Sequence, residues 1–133
     1  MENNPMKYDF FYENQEDQYL FLQMPWMLLK ENEFKSLSDG AKILYSLLLN
    51  RNSLSRKNNW RDEKGRVYII YTIEEIMEDI SCAKEKAIKL MKELKEIGLV
   101  YSIRRGLGKP NLTYVMNFAT ELKYKNDKKE AEE

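Results

Sequence analysis

The chain has 133 residues, of which 43% are hydrophobic and 33% are charged, and its 22 basic and 22 acidic residues give a net charge of zero. This length fits one domain with tails, and the apolar content is enough for a core. There is no histidine and one cysteine, Cys82. These counts exclude an internal disulfide, a histidine-assisted nucleophile and zinc sites built on imidazole or paired thiolates. Carboxylate-only chemistry stays possible on these counts, but no carboxylate pair stands out from the charged background, so we expect no catalytic residue, no metal and no cofactor.

The N-terminal segment is aromatic and lacks the features of a secretory signal. No apolar run approaches the roughly 18 residues of a membrane span, so we expect a cytoplasmic protein without a membrane partner. Residues 1–7 are predicted to be disordered. Residues 8–12 and 19–22 are β-prone runs around a polar stretch, which predicts an antiparallel hairpin or two extended arms. An isolated hairpin is marginally stable, so this segment must pack on the domain's own core or on a second subunit.

A buried helix and then a strand are predicted in the middle of the chain. Ser38 is a favourable N-cap, and Asp39 follows it in the first turn. Residues 41–49 are apolar around most of a helical circumference, which is typical of a central helix. The polar and basic residues 50–59 follow, and the β-prone run 67–71 then leads directly into the next helix.

Residues 72–97 are predicted to form a helix-turn-helix. Thr72 is the N-cap of its first helix, and Glu75 completes a capping box. A turn at residues 81–83 leads into a second helix with an apolar stripe at positions 87, 90, 91, 94 and 97. Gly98 ends this helix, as a glycine just past a C-terminus commonly does.

Residues 99–117 are predicted to form a basic β-hairpin, which we call the wing. Two β-prone runs, residues 99–103 and 112–116, flank a loop with two arginines and two glycines. Together with the preceding elements, this order predicts an α+β fold over residues 8–120. Its architecture is a winged helix-turn-helix with an additional N-terminal β-hairpin or arm.

The zero net charge hides an uneven distribution. Residues 81–112 contain eight basic and three acidic residues, and such a local surplus is the electrostatic footprint of nucleic-acid binding. In this class of fold the start of the second helix enters the major groove, while a wing can approach phosphates or the minor groove. The candidate DNA-binding residues are Ser81, Lys84, Glu85, Lys86, Lys89 and Lys92 on the helix, and Arg104, Arg105, Gly106, Gly108 and Lys109 on the wing.

The same lysines also fit an ordinary solvated helix face. Lys89 with Glu93, and Lys92 with Glu96, have the spacing of helix ion pairs. Under that interpretation the winged helix is a protein–protein interaction module, which the neutral net charge and the aromatic arm favour.

Four segments together match the pattern of one family: residues 37–45, 50–58, 65–76 and the loop Gly106-Leu107-Gly108-Lys109-Pro110-Asn111. Over residues 19–118 the chain resembles the N-terminal domain of replication initiator protein A, the RepA type of multiresistance plasmids in staphylococci and related Gram-positive bacteria. The resemblance implies a dimeric winged-helix domain that binds repeated double-stranded DNA sites at a plasmid origin and initiates replication. It also implies that Arg56 and Lys57 lie between the central helix and the first strand, where they contact the DNA backbone or a subunit neighbour.

The resemblance further implies that DNA and the host replication proteins bind different domains of the initiator. Such initiators carry a C-terminal domain thought to recruit host replication proteins such as primase, and residues 121–133 form a charged tail or the start of a linker to that domain, which is absent from this chain. We therefore expect a DNA-binding fragment that forms a homodimer, with the aromatic arm packed either in the dimer contact or on the domain's own core. A winged-helix transcriptional regulator is the alternative with the same DNA chemistry, since only the location of its site distinguishes it.

Overall fold

The computed structural model describes residues 7–121, in which helices precede a small antiparallel sheet. The elements follow in the order α1 (Met27–Lys30), α2 (Asp39–Lys57), α3 (Ile73–Ile80), α4 (Lys84–Glu96), β1 (Val100–Ile103) and β2 (Leu112–Val115), with short 3-10 helices at Gln15–Gln18 and Asn32–Phe34. This order confirms the predicted α+β winged helix-turn-helix. The predicted disordered N-terminus and charged C-terminal tail lie, except for Lys7 and Glu121, outside the described residues.

Helix α2 crosses the middle of the domain and is tied to its neighbours by side-chain hydrogen bonds. The Ser38 hydroxyl accepts from the Ala41 backbone N–H at 3.2 Å, which satisfies one of the free amides of the first turn. The Tyr45 hydroxyl donates to the Met116 carbonyl at 2.6 Å. Burial raises the pKa of Tyr45 to about 12, so this donor keeps its proton and joins α2 to the chain just after β2.

Helix α2 is longer than the sequence indicated. We expected Arg56 and Lys57 beyond the helix, but α2 continues to Lys57. The expectation is wrong because the polar segment keeps an inward side, on which Ser55 is buried and Arg51 pairs with α3. The helix ends where Asn59 adopts a φ of 61°, a left-handed conformation that asparagine tolerates better than most residues.

The helix-turn-helix forms as predicted. The Thr72 hydroxyl accepts from the Glu75 N–H, and the Glu75 carboxylate accepts from the Thr72 N–H, each at 3.2 Å, so the capping box closes the start of α3. Ser81, with a φ of 59°, ends α3 and begins the turn. Helix α4 then packs on α2, α3 and β1 through its buried stripe of Ala87, Leu90, Met91 and Leu94. Its opposite face is left in solvent.

The wing consists of β1 and β2, paired antiparallel. The strand predicted at residues 67–71 is wrong as a continuous strand, because Val67 pairs with Arg61 and only Ile69 reaches the sheet, where it bridges Thr113. Val67 closes a short hairpin of its own, and the chain must turn soon afterwards to begin α3. The bridge has both hydrogen bonds, from the Ile69 N–H at 2.8 Å and from the Thr113 N–H at 2.9 Å. It fastens the wing to the body of the domain.

The N-terminal segment is an exposed arm. No strand forms between residues 7 and 24, and the 3-10 helix Gln15–Gln18 occupies the polar stretch. The rings of Phe11 and Tyr19 lie 6.3 Å apart, and those of Tyr19 and Phe21 lie 6.2 Å apart, yet all three side chains remain exposed. Of the two predicted forms, the structure shows the arm and not the hairpin, since none of the described residues supplies a third strand beside it to stabilise a two-stranded pair.

The core lies between α2, α4 and the base of the wing. Its fully buried side chains include Leu28, Leu44, Tyr45, Leu48, Ile69, Ile76 and Leu94. Phe34 packs edge to face on Phe118 with ring centroids 4.8 Å apart, which closes the end of the core near Tyr45. Within residues 7–121, no helix is long and apolar enough to cross a membrane.

Candidate nucleic-acid interface

The outer face of α4 presents the residues that the sequence singled out on this helix. Lys84, Glu85 and Lys86 lie in its first turn and Lys89 follows one turn later, all exposed. In the described part of the chain, none of these three lysines forms an ion pair or a side-chain hydrogen bond. Lys84 and Lys86 add their charge to the positive N-terminal end of the α4 helix dipole, so this end of the helix favours anions. Lys84, Lys86 and Lys89 therefore carry positive charge that no carboxylate within residues 7–121 neutralises by direct contact.

Only one of the two ion pairs considered within α4 forms. Lys92 Nζ lies 3.9 Å from the Glu96 carboxylate, with both side chains largely exposed, and such a surface pair adds little stability. Glu93 does not pair with Lys89. Its carboxylate instead accepts hydrogen bonds from the Ser38 backbone N–H at 2.9 Å and the Ser38 hydroxyl at 2.7 Å. Glu93 thus fastens α4 to the start of α2 and leaves Lys89 unpaired.

Helices α2 and α4 approach closely beside this face. A Cβ atom on Gly40 would lie 2.9 Å from Leu90 Cδ2, so the absence of a side chain permits the approach. A groove of about 390 Å³ follows the contact, and its lining residues are Ser38, Gly40, Glu85, Lys86, Lys89, Leu90 and Glu93. Two of the predicted recognition lysines therefore border a concave surface.

The wing loop, residues 104–111, extends from the sheet with every residue exposed. It carries Arg104, Arg105 and Lys109 and contains no acidic residue. Gly106 and Gly108 have φ values of 103° and 79°, which L-residues rarely adopt, so the loop requires glycine at both positions. The structure thus gives the wing a tight basic tip, as predicted from its composition.

A hydrogen-bonded cluster supports the base of the wing. Asp62 accepts from the Arg66 Nε at 2.7 Å and from the Tyr114 hydroxyl at 2.9 Å, and the Arg66 guanidinium lies over the Tyr114 ring, 5.1 Å from its centroid. Burial raises the pKa of Asp62, but the hydrogen bonds from Arg66, Tyr114 and Lys64 outweigh it and hold the pKa well below its usual range. The ionised Asp62 carboxylate therefore joins the 61–67 hairpin to β2.

We expect this cluster to make the domain sensitive to acid. Because the folded-state pKa of Asp62 is lower than the unfolded-state value, the unfolded chain binds more protons below about pH 5, and the free energy of unfolding falls as the pH is lowered. Asp62→Asn should flatten that fall, and Tyr114→Phe, which removes one donor, should flatten it less. Urea unfolding followed by circular dichroism between about pH 7 and pH 3 measures the slope. An unchanged slope in Asp62→Asn would show that this carboxylate is not responsible.

A second charged cluster joins α2 to α3, and sequence reasoning missed it. The Arg51 guanidinium lies 2.6 Å from the Glu75 carboxylate, 4.0 Å from that of Asp79 and 4.5 Å from the centroid of the Tyr71 ring. The Tyr71 hydroxyl donates to Asp79. Burial raises the pKa of Glu75, but the hydrogen bonds from Thr72 and Arg51 lower it overall. The spacing of the two carboxylates was a usable signal, but nothing local to Arg51 identifies it as their partner.

The remaining predicted residues lie in different places. Ser81 is exposed in the turn before α4, close in sequence to Lys84. Arg56 and Lys57 are exposed in the last turn of α2, at the opposite end from the Ser38–Glu93 contact. At 1.5 Å per residue, the helix separates its two ends by roughly 27 Å. The structure therefore groups the α4 residues on the outer side of one helix and the cationic wing residues in one loop. Arg56 and Lys57 lie apart from the contact between Ser38 and Glu93, at the other end of α2.

The fold and this surface define a winged helix-turn-helix domain with a basic second helix and a basic wing. Within residues 7–121, no group of three histidine, cysteine or acidic side chains is arranged to hold a metal ion. The family model described as Replication initiator protein A (RepA) N-terminus matches residues 20–128. The chain belongs to this family.

Solved structures share the fold at substantial identity. One, an N-terminal domain of a DNA-binding protein, is 35% identical with a TM-score of 0.68, over 91% of this chain and 98% of that one. A Rep–DNA complex is 36% identical with a TM-score of 0.68, over 90% and 97% of the two chains. An MDR initiator is 34% identical with a TM-score of 0.65, over 82% and 86%.

A curated relative is longer than this chain. A 41 kDa protein of Lactobacillus helveticus is 27% identical over 92 residues, which are 69% of this chain and 26% of the relative. The present chain therefore corresponds to about a quarter of that relative's length.

Proposed function

We propose that this domain binds specific double-stranded DNA at repeated sites in a plasmid replication origin, as a homodimer in the cytoplasm, and so initiates plasmid replication without catalysis. Membership of the initiator family supports the role in replication. The 36% identity to the chain of a Rep–DNA complex supports DNA as the ligand. A metal or cofactor has no part in this proposal, because binding alone performs the function.

The observation that carries the proposal is the basic outer face of α4 beside a basic wing. Lys84, Lys86 and Lys89 have no carboxylate partner in the described part of the chain. These lysines therefore break no ion pair when they contact DNA. Their position at the start of the second helix is the position that enters the major groove in helix-turn-helix proteins. The wing supplies three further cations on a separate loop.

We assign the individual roles by chemistry. Lys89 and Lys86 border the groove between α2 and α4 and are placed for base edges, where lysine reads guanine, while Lys84 contacts phosphate. The Ser81 hydroxyl suits phosphate, and Glu85 can accept from a cytosine amino group. Arg104, Arg105 and Lys109 contact the backbone or the minor groove. We assign the exposed Lys92 to a flanking phosphate. Arg56 and Lys57, in the last turn of α2, contact either flanking phosphates or a second subunit.

These contacts give the affinity a strong salt dependence. Each phosphate neutralised by lysine or arginine releases counterions from the duplex. About six such contacts lower the affinity by roughly 10³-fold between about 50 and 200 mM salt. A complex held by apolar protein contacts would not respond in this way.

The exposed arm supports self-association. Eight large apolar side chains between residues 8 and 22 are exposed, and contiguous apolar surface on a soluble domain typically marks an interaction site. A pocket of about 590 Å³ lies between the end of this arm and α2, lined in part by Phe21, Met24, Trp26 and Leu49. A second copy could place its own arm there, and in a two-fold dimer each subunit offers the same patch.

Replacing Phe10, Phe11 and Phe21 together by serine should weaken self-association by about 100-fold or more, because three aromatic side chains would no longer be buried. Sedimentation equilibrium measures the dissociation constant. Tyr101→Ser, which removes an exposed aromatic residue of the wing, is the matched control. If the triple variant and the control associate alike, the arm is not the dimer contact.

Host replication proteins enter the proposal only through the rest of the initiator. The relative in Lactobacillus helveticus is about four times as long as the matched segment, so recruitment of other proteins is assigned to its additional length. The described domain determines which DNA site the initiator binds.

The proposal is tested by selection followed by titration. Duplexes enriched from a randomised pool by the protein are titrated by fluorescence anisotropy, against a scrambled duplex of the same composition, at about 50 and 200 mM salt. We expect the enriched duplex to bind at least about 10³-fold more tightly, with the affinity falling steeply at higher salt. If both duplexes bind equally and weakly, sequence-specific DNA recognition is wrong and the protein-interaction alternative is favoured.

The origin and the operator are then distinguished by location. A plasmid that carries the enriched repeat beside the initiator gene should replicate only while the repeat is intact. If loss of the repeat changes transcription of a neighbouring gene and leaves plasmid copy number unaltered, the chain belongs to a transcriptional regulator instead.

A further inference from the structure

The tip of the wing presents an apolar side chain that none of the roles above uses. Leu107 has a relative exposure of 104%, the highest of the large hydrophobic residues between positions 7 and 121. The loop around it contains only arginine, glycine, lysine, proline and asparagine. This leucine therefore contributes nothing to the core, and water surrounds it in the free domain.

Single exposed leucines are common and need no explanation by themselves. Leu20 is almost as exposed, at 103%, but it belongs to the aromatic arm and has apolar neighbours on both sides. Leu107 is the one large hydrophobic residue of a cationic loop, in the middle of the segment that joins the paired strands. Its setting, and not its exposure alone, indicates a role.

The loop holds Leu107 in a defined position. Gly106 and Gly108 have positive φ values on either side of it, and a Cβ atom at either glycine would meet nothing within 4 Å, so the tip is unobstructed. The Lys109 N–H donates to the Gly106 carbonyl at 3.4 Å, and Arg105 Nε donates to the Pro110 carbonyl at 3.0 Å. These bonds shape the tip before any ligand is present.

The wing is also anchored to the rest of the domain. The paired strands hold the loop at both ends, and the Ile69–Thr113 bridge connects the sheet to the chain before α3. A force applied at Leu107 is therefore transmitted to the body of the domain. Such anchoring is what a side chain needs if it is to separate two stacked bases.

We propose that Leu107 enters the minor groove and inserts as an apolar wedge between two adjacent base pairs, which unstacks that step and bends the duplex. This inference rests on the proposed DNA binding. Apolar wedges that include leucine are used in this way by minor-groove proteins, with kinks of about 20–90°. Arg104, Arg105 and Lys109 draw the loop toward the phosphates on either side of the groove, and the base step removes Leu107 from water. A flexible pyrimidine–purine step is the favoured position.

The test measures DNA shape separately from DNA affinity. The probe is the duplex enriched by the wild-type protein, labelled at its two ends for resonance energy transfer, and in a second set carrying 2-aminopurine at successive steps. The variants are Leu107→Ala, which removes the wedge, and Leu107→Met, which keeps a long apolar side chain. Leu29→Ala, at an exposed leucine of α1, is the matched control.

With the wild-type protein we expect an increase in energy transfer, because bending shortens the distance between the two labelled ends. We also expect a rise of 2-aminopurine fluorescence at one step, because unstacking relieves the quenching of that base. Leu107→Ala should lose both signals and bind about tenfold more weakly, with an unchanged salt slope because no charge is removed. Leu107→Met should restore the signals, and Leu29→Ala should match the wild type.

Four results would overturn the wedge. If the wild-type protein binds its enriched duplex specifically without bending or unstacking it, or if Leu107→Ala keeps both signals, Leu107 is not inserted, while the proposed function stands. If the wild-type protein shows no preference for any duplex, the proposed function and the wedge are both wrong. If Leu107→Ala instead alters sedimentation and leaves the DNA signals unchanged, the tip contacts protein, which also overturns the wedge.

Discussion

Replacing Lys84, Lys86 and Lys89 together by alanine is expected to weaken binding to the enriched duplex by about 100- to 1,000-fold. Each lost lysine contact removes on the order of 1–1.5 kcal/mol, and about 1.4 kcal/mol corresponds to a tenfold change in affinity. Because only Lys84 is assigned to phosphate, the slope of log affinity against log salt should become shallower by about 0.9, whereas a change of about 2.7 would show that all three lysines contact phosphate. Anisotropy titrations at several salt concentrations give both quantities.

The three lysines serve no structural contact that the substitution would destroy. They are exposed, and none forms an ion pair with another described residue. A matched control replaces Lys35, Arg61 and Lys64, which are exposed outside α4, the wing and the aromatic arm and carry the same total charge. If both triple variants lose affinity to the same extent, only net charge matters, and the recognition role assigned to α4 is wrong.

Leu94→Ala is expected to lower the free energy of unfolding by about 2–5 kcal/mol. The side chain is fully buried on the inner face of α4, and its removal loses apolar burial and leaves a cavity. Domains of this kind are stable by only about 5–15 kcal/mol, so the loss is a large share of the total. Urea unfolding monitored by tryptophan fluorescence measures it, with DNA binding lost in parallel where the variant is unfolded.

Leu107→Ala provides the comparison at the opposite extreme of burial. This side chain is fully exposed, and surface substitutions usually change stability by no more than about 0.5 kcal/mol. If the two leucine variants were equally destabilised, the packing of α4 on the core would not be as described. An unchanged stability of Leu107→Ala also ensures that its effect on DNA shape is not an effect of unfolding.

The parts of the fold that the sequence predicted are those specified by local chemistry. Thr72 and Glu75 satisfy each other's backbone amides within one helical turn, and the chain turns at Gly98 with a φ of 85°. Such signals depend on residues three or four apart and survive in any tertiary context. The helix-turn-helix and the wing were therefore predictable to within a residue or two.

The parts that were missed depend on contacts between distant segments. The spacing also allowed Glu93 to pair with Lys89 one turn away, but the Glu93 carboxylate accepts from Ser38, 55 residues earlier in the chain. The polar residues after position 49 seemed to leave the central helix, although Arg51 holds them against Glu75 of α3. No local pattern contains these partners, because they meet only after the helices have packed.

The arm and the strand before α3 show a third limit. The aromatic runs at residues 8–12 and 19–22 have strand-like composition, but strand pairing needs a partner edge, and none lies beside them in the described part of the chain. Residues 67–71 have a partner in β2 but reach it only at Ile69. Composition thus indicates which residues can form a strand, whereas the surrounding structure decides whether they do.

The candidate interface was predictable to a similar degree. Lysines in the first turns of the second helix and a basic glycine-containing loop are visible in the sequence, and the structure leaves them exposed. What the sequence did not show is that Glu93 binds Ser38, so that Lys89 remains unpaired, or that Leu107 is the most exposed large hydrophobic residue between positions 7 and 121. These features arise from packing between α2 and α4 and from the shape of one loop.

Methylation interference on the enriched duplex tests most directly whether α4 and the wing bind opposite grooves. Dimethyl sulfate modifies guanine N7 in the major groove and adenine N3 in the minor groove, two edges that are chemically distinct. We expect duplexes methylated at guanines of one major-groove segment, or at adenines of the adjoining minor groove, to be depleted from the bound fraction. Lys89→Ala should relieve only the guanine interference, and replacing Arg104 and Arg105 by alanine only the adenine interference. Interference that is absent from both grooves, or that neither variant changes, would contradict the docking of α4 and the wing on DNA.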